Sequence, residues 1–449
     1  MKTNQIFPGS ETGLRLLKDK AGAVDNFGQF KAALIPASSG SLTGALQKLS
    51  AEMDELAGVA PSIEDNAGKP VVMAGQQPYV DYSLGVAAKV DVLREGQDTF
   101  AGYFGFSDYD YFGSDRGIGQ IRLPNPQPKA GTPYLSIRLH SGSTSTKFKD
   151  MRFVPPPGER EITGSLNRLK EALLFALHCT GRQALRKTVM ENLAALQSDL
   201  TYACKHAASV AAFNMIWSVR TYRRLGFKTP FFAIGNLLHR PEFTPAIAKL
   251  IQPVIRENGL FIESIHQVLK LCGGCDPGIR PKEAGYLPLF LTDRESGERL
   301  PLVLVCEGGD FAMTARERPD IRIPIGKADW ADLAHVLDRL QGLWSPSVFL
   351  PLFLYRMGFA GMVSGKSSVK YAVVIGHVQE VLFGERHPPN FLCAGTPTPT
   401  GLLHDAVRLH GGGGVRPAEE SAPTLIYRLL FETPDAIRRE FETLWKGSE

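Results

Sequence analysis

The sequence predicts an α/β fold with a parallel sheet at its core and a helical insertion. Its most informative stretch is residues 70–106, where a short apolar strand, a glycine turn, a helix and a second apolar strand follow one another. Because the crossover of such a unit makes its two strands run parallel, this stretch predicts a parallel sheet. Residues 160–225 have an almost continuously helical pattern, and residues 286–306 show the two apolar runs of a β-hairpin.

Length and composition are those of a globular protein. The 449 residues are 43% hydrophobic, which is enough to bury a sizeable core and excludes a wholly disordered chain. At ~150 residues per domain, two or three domains are expected. No apolar run approaches the ~18 residues needed to cross a bilayer, and residues 1–5 lead into no secretory signal. We therefore expect a soluble cytoplasmic protein that has no membrane partner.

The order of the predicted elements divides the chain into four parts. Residues 1–158 form the N-terminal half of the α/β core, 159–228 the helical insertion, 229–392 the second part of the core with the β-hairpin, and 393–449 a C-terminal tail. The predicted elements are a helix at 41–57, strands at 70–74 and 99–106 with a helix at 82–94 between them, a strand at 230–238, helices at 244–257 and 329–341, hairpin strands at 286–292 and 299–306, a strand or helix at 371–382, and a last strand at 424–428 before a helix from Pro434.

Two turns follow the predicted parallel strands, and both emerge at the carboxyl end of the sheet, where open α/β folds bind ligands. The first is Gly75-Gln76-Gln77, whose glycine lets a ligand approach the backbone and whose amides can donate to a carboxylate or phosphate. The second carries Asp108 and Asp110, which as alternate strand residues can both face one cleft. Paired carboxylates suit magnesium, a general base or a ribose hydroxyl. A mere tight turn and a solvated acidic turn are the alternatives.

A third candidate lies late in the chain, where residues 360–367 fit the permissive phosphate-loop pattern with alanine in place of the first glycine. Backbone N–H groups of such a loop cradle phosphates, and its lysine reaches them. A phosphate loop usually opens its domain, however, and no acidic strand end follows here to hold magnesium. The pattern therefore predicts a phosphate or carboxylate contact by Ser364, Gly365, Lys366 and Ser367 rather than a phosphate-loop NTPase.

The cysteines offer half of a zinc site. Cys272 and Cys275 have the spacing of one ligand pair, but structural zinc needs four ligands and the sequence has no second CxxC pair. His266 and the distant Cys306 are the residues that can complete such a site. A Gly-Gly turn with two ordinary thiols is the simpler interpretation, and we predict no metal ligands among these residues.

The net charge of +4 is small, but residues 151–300 are basic while the rest of the chain is slightly acidic. A basic middle part can contact phosphates or an acidic substrate. Its lysines and arginines can equally be the solvated faces of helices. Arg220, Arg223 and Arg224 fall in a last helical turn, where cations suit the helix dipole.

Taken in order, several segments resemble the bacillithiol-biosynthesis cysteine-adding enzymes, a family of cysteine ligases. That family has an apolar strand entering a Gly-Gln-Gln turn, a helix with a lysine, an Asp-His-Asp turn, a Gly-Glu-Arg hairpin, and a Ser-Pro-Asn segment before a glycine loop and a tyrosine-containing helix. The matching segments here are VVMAGQQP at 71–78, Lys89, Asp108-Tyr109-Asp110, the hairpin at 286–304, WSPSVFL at 344–350, and SGKSS at 364–368 with Tyr371. The resemblance is patchy over 41–390. Tyr109 replaces the family's histidine, residues 364–367 replace its loop glycines and acid, and its long C-terminal coiled coil is missing.

The resemblance implies a Rossmann-like core similar to class I nucleotidyltransferases. It also implies a nucleotide-dependent ligase that joins an amino acid, cysteine or a similar one, to a small amine or conjugate, with ATP as cofactor and Mg²⁺ as its companion ion. Asp108 and Asp110 would act in catalysis, and the nucleotide would be held by Gly75, Gln76, Gln77, Lys89, Ser364, Gly365, Lys366 and Ser367. Two other functions stay open: a transferase that takes its amino acid from aminoacyl-tRNA through the 160–225 helices, and a non-catalytic binding protein on the same scaffold.

Overall fold

The computed structural model describes residues 6–7, 10–35, 40–62, 66, 68–113, 118–124, 134–140, 148–273, 275–393 and 424–446. Its strands, numbered along the chain, are β1 (Ala23–Val24), β2 (Val71–Gln76), β3 (Ala101–Phe106), β4 (Gln120–Pro124), β5 (Tyr134–Arg138), β6 (Phe231–Ala233), β7 (Tyr286–Thr292), β8 (Arg299–Glu307), β9 (Asp310–Ala315), β10 (Arg318–Gly326), β11 (Trp344–Pro346), β12 (Gly361–Ser364) and β13 (Asn390–Leu392). They form a six-stranded sheet in the order β1-β13-β12-β2-β3-β6, a five-stranded sheet in the order β10-β9-β8-β7-β11, and the β4–β5 hairpin.

Helices surround these sheets. They are Glu11–Asp19, Phe27–Ala33, Gly40–Leu56, Leu84–Ala87, Lys89–Glu95, Glu159–Cys179, Arg186–His206, Val210–Arg224, Ile234–Leu238, Thr244–Arg256, Asn258–Leu271, Trp330–Arg339, Leu350–Arg356, Lys366–Phe383, Leu425–Phe431 and Pro434–Lys446, with short 3-10 turns at Met151–Phe153, Gln183–Leu185 and Pro241–Phe243. Within the described ranges, none of them is long and apolar enough to cross a bilayer.

Every pairing in the six-stranded sheet is parallel, which confirms the predicted α/β core. β2 and β3 pair in register, with Gly75 opposite Gly105 and Gln76 opposite Phe106. From β2 the chain moves outward through β3 to β6, and it returns to the other side of β2 for β12 and β13. The crossovers that leave β2 and β12 therefore diverge. The crevice between the carboxyl ends of these two strands is the switch point of a Rossmann-like sheet.

The central strands are apolar along their length because both faces of the sheet are covered. In β2, Val72 and Ala74 belong to the hydrophobic core shared with the helical insertion. Val71 and Met73 belong to the core shared with helix Lys366–Phe383. All four side chains are buried, which anchors the strand below the turn that follows it.

The predicted insertion consists mainly of three long helices, and the third supports the segment that follows β2. This helix, Val210–Arg224, is buried over most of its length. Asn214 Nδ2 donates to the carbonyl oxygen of Pro78 at 2.9 Å, and Trp217 Nε1 donates to that of Val80 at 2.7 Å. The insertion therefore fixes the backbone that leaves the Gly-Gln-Gln turn.

The strand predicted at 424–428 is wrong, because these residues begin helix Leu425–Phe431. Thr424 caps the helix by accepting a hydrogen bond at its Oγ1 from the backbone N–H of Tyr427. The β-branched and aromatic side chains favour a strand by composition. All side chains from Leu425 to Leu430 are buried, so the polar stripe that identifies a surface helix is absent.

The predicted hairpin is confirmed as β7 and β8, and it belongs to a larger antiparallel sheet completed by β9, β10 and β11. The strand predicted at 230–238 is shorter, since only Phe231–Ala233 are extended and Ile234–Leu238 form a helix. Residues 371–382 lie inside helix Lys366–Phe383. The five-stranded sheet stands beside the carboxyl end of the parallel sheet and forms the second wall of the cleft described next.

Candidate functional site

A cleft of about 1560 Å³ opens at the carboxyl ends of β2, β3 and β12, and the β7–β8 hairpin lines its other side. Asp108 and Ser364 are buried nearby and are not part of the lining. The predicted site residues that do line the cleft are Gly75, Gln76, Gln77, Lys89, Asp110, Gly365, Lys366 and Ser367. Segments far apart in the sequence therefore meet at the switch point, where the fold predicts a ligand.

Lys89 bridges the two turns of the switch point. It is the first residue of helix Lys89–Glu95, and its side chain is 2% exposed. Its ammonium donates to the carbonyl oxygen of Gly75 at 3.1 Å, and a methyl group built on Gly365 would lie 3.9 Å from its Nζ. Burial lowers the pKa of Lys89 to about 8, and the charge of Cys393 partly opposes that shift. With one hydrogen bond made to the described residues, the ammonium retains donors for an anion.

Gly365 alone joins β12 to helix Lys366–Phe383. Because β12 occupies the middle of the phosphate-loop pattern at 360–367, the pattern forms no phosphate-wrapping loop. Gly365, Lys366 and Ser367 instead line the cleft at a helix start that no described side chain caps. The N–H groups and the dipole of such a helix start favour an anion. Ser364 lies in β12, and its carbonyl oxygen accepts from the backbone N–H of Cys393 at 2.8 Å.

Asp110 is held in the cleft by three donors. Gln77 Nε2 donates to its Oδ2 at 2.8 Å, while the backbone N–H of Tyr111 and Nη1 of Arg299 donate to its Oδ1 at 2.8 and 3.1 Å. Gln76 Nε2 donates to Gln77 Oε1 at 2.6 Å, which orients the Gln77 amide toward the carboxylate. The Asp110 side chain is 22% exposed, so Oδ2 keeps acceptor capacity toward the cleft.

Arg299 is absent from the residues predicted for the site, yet it holds Asp110. Its Nε donates to Ser345 Oγ at 3.1 Å, its Nη2 donates to the carbonyl oxygen of Pro346 at 2.9 Å, and its guanidinium lies 4.0 Å from the centre of the Phe290 ring. These contacts hold the guanidinium in the orientation in which it donates to the Asp110 carboxylate. In the sequence, Arg299 ends the Gly-Glu-Arg segment of the hairpin, and no pattern there assigns it a role in the site.

Asp108 and Asp110 do not face one cleft, which corrects the expectation from strand alternation. β3 ends at Phe106, and residues 107–110 form a turn, so the two-residue alternation of a strand no longer applies. Asp108 points inward, and its Oδ1 accepts from the backbone N–H of Gly235 at 2.7 Å, where a short helix begins. Burial raises the pKa of Asp108. Asp108 therefore anchors the turn, and Asp110 is its carboxylate in the cleft.

Tyr109 lines the cleft between two cations. Its ring centre lies 5.5 Å from the guanidinium carbon of Arg299 and 6.0 Å from that of Arg152. Burial raises the pKa of Tyr109 far above its ordinary range, with Arg299 opposing the shift. The phenol is therefore neutral at physiological pH and can orient a ligand by hydrogen bonding, but it cannot shuttle protons as histidine does.

A second carboxylate in the cleft wall, Asp81, serves the scaffold. Its Oδ2 accepts from the backbone N–H of Arg122 at 2.9 Å, and its Oδ1 accepts from that of Ile426 at 3.2 Å. It thereby ties β4 and helix Leu425–Phe431 to the segment after the glycine turn. Burial raises the pKa of Asp81 to about 6, an effect that these hydrogen bonds partly oppose.

Among the residues described by the structure, the CxxC pair gathers no further metal ligands. Cys275 Sγ donates to Ser10 Oγ at 2.9 Å, and His266 Nε2 forms a hydrogen bond with the carbonyl oxygen of Lys282 at 2.9 Å. In the part of the chain that the structure describes, no three His, Cys, Asp or Glu residues are grouped to hold a metal ion. Burial raises the pKa of Cys272 to about 11, which favours the thiol at neutral pH.

The arginines at the end of the helical insertion form ion pairs inside the protein. Arg220 and Arg224 contact Asp199 at 2.8 and 2.5 Å, and Arg223 contacts Asp54 at 2.7 Å. Both carboxylates are buried. These ion pairs therefore hold the insertion to helix Gly40–Leu56 and hold two helices of the insertion together. Arg223 and Arg224 also lie in the last turn of helix Val210–Arg224, whereas Arg220 precedes it, which corrects the expectation for Arg220.

No protein-family model matches the chain, and no curated protein matches it.

Proposed function

We propose that the protein is a nucleotide-dependent ligase whose cleft binds ATP with its phosphates at the switch point between Gly75 and Gly365. The observation that carries this proposal is the buried ammonium of Lys89, which touches Gly75 and lies beside Gly365. Burying an ammonium costs free energy unless a partner charge compensates it. A polyphosphate supplies that charge, and the start of helix Lys366–Phe383 supplies further donors for the same group.

The remainder of the phosphate subsite follows from the cleft lining. Lys366 lies at the first helical position and is half-buried, so its ammonium can reach an anion that Lys89 holds from below. The side chain of Ser367 is exposed and offers a hydroxyl. Mg²⁺ that arrives with ATP would be held chiefly by the phosphates, because Asp110 is already engaged by Arg299 and Gln77.

The proposed reaction joins the carboxyl group of a cysteine-like amino acid to a small amine or conjugate. ATP would supply the activation of that carboxyl group. Asp110 is the residue best placed to receive the amine, because its charge attracts an ammonium and Oδ2 has acceptor capacity left. Arg299 and Gln77 hold the carboxylate in one orientation, which is what a positioned base requires.

A non-catalytic binding protein is the second candidate, and the state of Asp110 favours it. The carboxylate already accepts hydrogen bonds from Arg299, Gln77 and the backbone N–H of Tyr111, and Tyr109, whose pKa burial raises far above its ordinary range, provides no titrating partner at neutral pH. The aminoacyl-tRNA-dependent transferase has less support, because Arg220, Arg223 and Arg224 are engaged in internal ion pairs. Salt-dependent RNA binding would return it to consideration.

The test is a reaction of the purified protein with ATP, Mg²⁺, the twenty amino acids and a cell extract, followed by mass spectrometry. A ligase produces a new amide together with ADP or AMP. Asp110→Asn is expected to lower product formation by about 10²-fold, the scale of a lost acid–base group. ATP binding without any new product would support the binding protein, and unaltered product formation by Asp110→Asn would remove Asp110 from the mechanism.

A further inference from the structure

The cleft continues past the switch point along helix Lys366–Phe383. Tyr371 and buried Ile375 lie one and two turns beyond Ser367, and all three residues line the cleft from one face of this helix. With a rise of about 1.5 Å per residue, the four residues from Ser367 to Tyr371 span ~6 Å. A group bound at the start of the helix therefore leaves this part of the cleft to the remainder of a larger ligand.

Apolar side chains from another segment join this part of the cleft. Leu350 lines it at the start of helix Leu350–Arg356, which packs against helix Lys366–Phe383. Val348, a large apolar side chain that is 41% exposed, lines it as well. Pockets that bind small molecules are lined mainly by hydrophobic and aromatic side chains, so this composition favours an apolar portion of a ligand.

The aromatic ring of Tyr371 is held in place by the loop after Cys275. Gly278 packs so closely on the ring that a methyl group built on this glycine would collide with it. The backbone at Gly278 has φ +75°, and its N–H donates to Asp276 Oδ1 at 2.8 Å, so contacts within the loop fix the turn. Tyr371 therefore offers the cleft a ring whose position is set before a ligand arrives.

The order of the parallel strands separates Tyr371 from Asp110. β12, which leads into helix Lys366–Phe383, pairs with one edge of β2, and β3, which leads to Asp110, pairs with the other edge. The switch point lies between the two sides. A ligand that places its phosphates there and extends toward Tyr371 leaves the side of Asp110 open for a second substrate.

We infer that the part of the cleft at Tyr371 holds the base of the nucleotide, with the plane of the base against the tyrosine ring. The inference rests on the proposed function and adds that the site takes a nucleoside triphosphate in preference to a bare polyphosphate. Within the described lining, segments 346–351 and 365–375 contribute no carboxylate and no side-chain amide that could distinguish one base from another. Every base has a π-face for stacking, so ATP and GTP should bind with similar affinity.

The test compares ATP, GTP and inorganic triphosphate by calorimetric titration. Stacking of a base on an aromatic side chain is worth about 5–150-fold in affinity, so the wild-type protein should bind both nucleotides more tightly than triphosphate by that factor. Tyr371→Leu should lose this gain and keep its affinity for triphosphate, which also shows that the variant is folded. Tyr371→Phe restores the ring and should recover the gain. Phe175→Leu, an exposed aromatic residue outside the described cleft lining, serves as the control.

Three results of the titrations would overturn the inference. Equal affinities of the wild-type protein for ATP and triphosphate would mean that the base makes no contact, and the phosphate site would stand alone. An equal loss for both ligands in Tyr371→Leu would show that the tyrosine supports the fold of the cleft instead of binding a base. A strong preference for ATP over GTP would show that hydrogen bonds, and not stacking, select the base.

Adenosine separates the inference from the proposed function because it carries no phosphate. Saturation-transfer NMR should show contact between the protein and the base protons of adenosine in the wild type and in Tyr371→Phe, but not in Tyr371→Leu. If this pattern is found and triphosphate does not bind, the proposed phosphate site fails while the base site stands. Adenosine that receives no saturation from the wild-type protein would overturn the inference.

Discussion

The ammonium of Lys89 donates to the backbone carbonyl oxygen of Gly75 at 3.1 Å while the lysine side chain is 98% buried. This contact joins the start of helix Lys89–Glu95 to the end of β2, the strand that precedes it in the chain. It also leaves a positive charge between the divergent crossovers of β2 and β12, where a ligand is expected. The buried positive charge lowers the stability of the unliganded protein and favours the binding of an anion, as is common at functional sites.

Lys89→Met is expected to stabilise the protein at pH 7. Below pH 8 the lysine is charged in the folded and the unfolded chain, and the folded state bears the full cost of the buried charge. Between pH 8 and 10.5 the folded protein has released the proton and the unfolded chain retains it, so the wild-type stability rises with pH. The variant lacks both the cost and the rise. Its advantage at pH 7 is on the order of 2–3 kcal/mol.

This prediction is checked by urea unfolding of both proteins at pH 7 and pH 10, where shared titrations cancel in the difference. The difference in the free energy of unfolding between the two proteins should be smaller at pH 10 than at pH 7. A variant that is less stable than the wild type at pH 7, or a difference that does not change with pH, would mean that Lys89 is a satisfied structural residue.

Gly365→Ala tests the space above the lysine without changing a charge. The new methyl group would lie 3.7 Å from Lys89 Cε, an ordinary contact, and the backbone at φ −87° accepts alanine. The fold should therefore survive, at a cost of about 0.5–2 kcal/mol for alanine at an N-cap. The methyl group should displace a phosphate and weaken ATP binding by about 10–100-fold, the value of one charge-assisted contact. Unchanged affinity, with Gly259→Ala as the folding control, would locate the phosphates elsewhere.

Asp108 and Asp110 should separate in their effects, the first on stability and the second on function. Asp108→Ala leaves the buried N–H of Gly235 without its acceptor, so a loss of about 1–3 kcal/mol is expected. Asp110→Asn keeps the size of a partly exposed side chain and should lower product formation far more than melting temperature. Thermal melts and product assays on both variants decide the matter. The reverse pattern would return Asp108 to the catalytic role that the sequence suggested.

The CxxC pair is expected to be dispensable for metal content. Cys272 is buried with a raised pKa, and Cys275 is hydrogen bonded to Ser10. Elemental analysis of the purified protein should find no stoichiometric zinc, and Cys272→Ser should leave activity unchanged. One zinc per chain that is lost in Cys272→Ser would contradict this.

The parallel core was predictable from residues 70–106 because their order alone dictates the crossover. The sequence also predicted eight of the residues that line the cleft, because Gly75 and Lys366 lie at strand ends that the sheet brings together. It placed Asp108 wrongly because strand alternation was applied beyond Phe106, where β3 ends as predicted, and the direction of a side chain in the following turn depends on tertiary contacts such as the one with the Gly235 N–H. No role was predicted for Arg299, because no sequence pattern around it indicates that its side chain reaches from the five-stranded sheet to Asp110.

The helix at Leu425–Phe431 was also not predicted, because its composition suits more than one kind of secondary structure. Residues 424–428 are rich in β-branched and aromatic side chains, which suits a buried strand as well as a buried helix. Thr424 stabilises the helix by capping its first turn, and Asp81, which is distant in the sequence, accepts a hydrogen bond from the backbone N–H of Ile426. No periodicity reveals such a contact in advance.

Calorimetric titration with ATP, ADP and inorganic triphosphate decides the claim that a nucleotide's phosphates bind at the switch point beside Lys89. The wild-type protein should bind all three. Lys89→Met and Lys366→Ala should each lose about 10–100-fold in affinity, while Lys370→Ala on the same helix should bind as the wild type does. Absence of binding to the wild-type protein, or equal affinities in all four proteins, would contradict the claim.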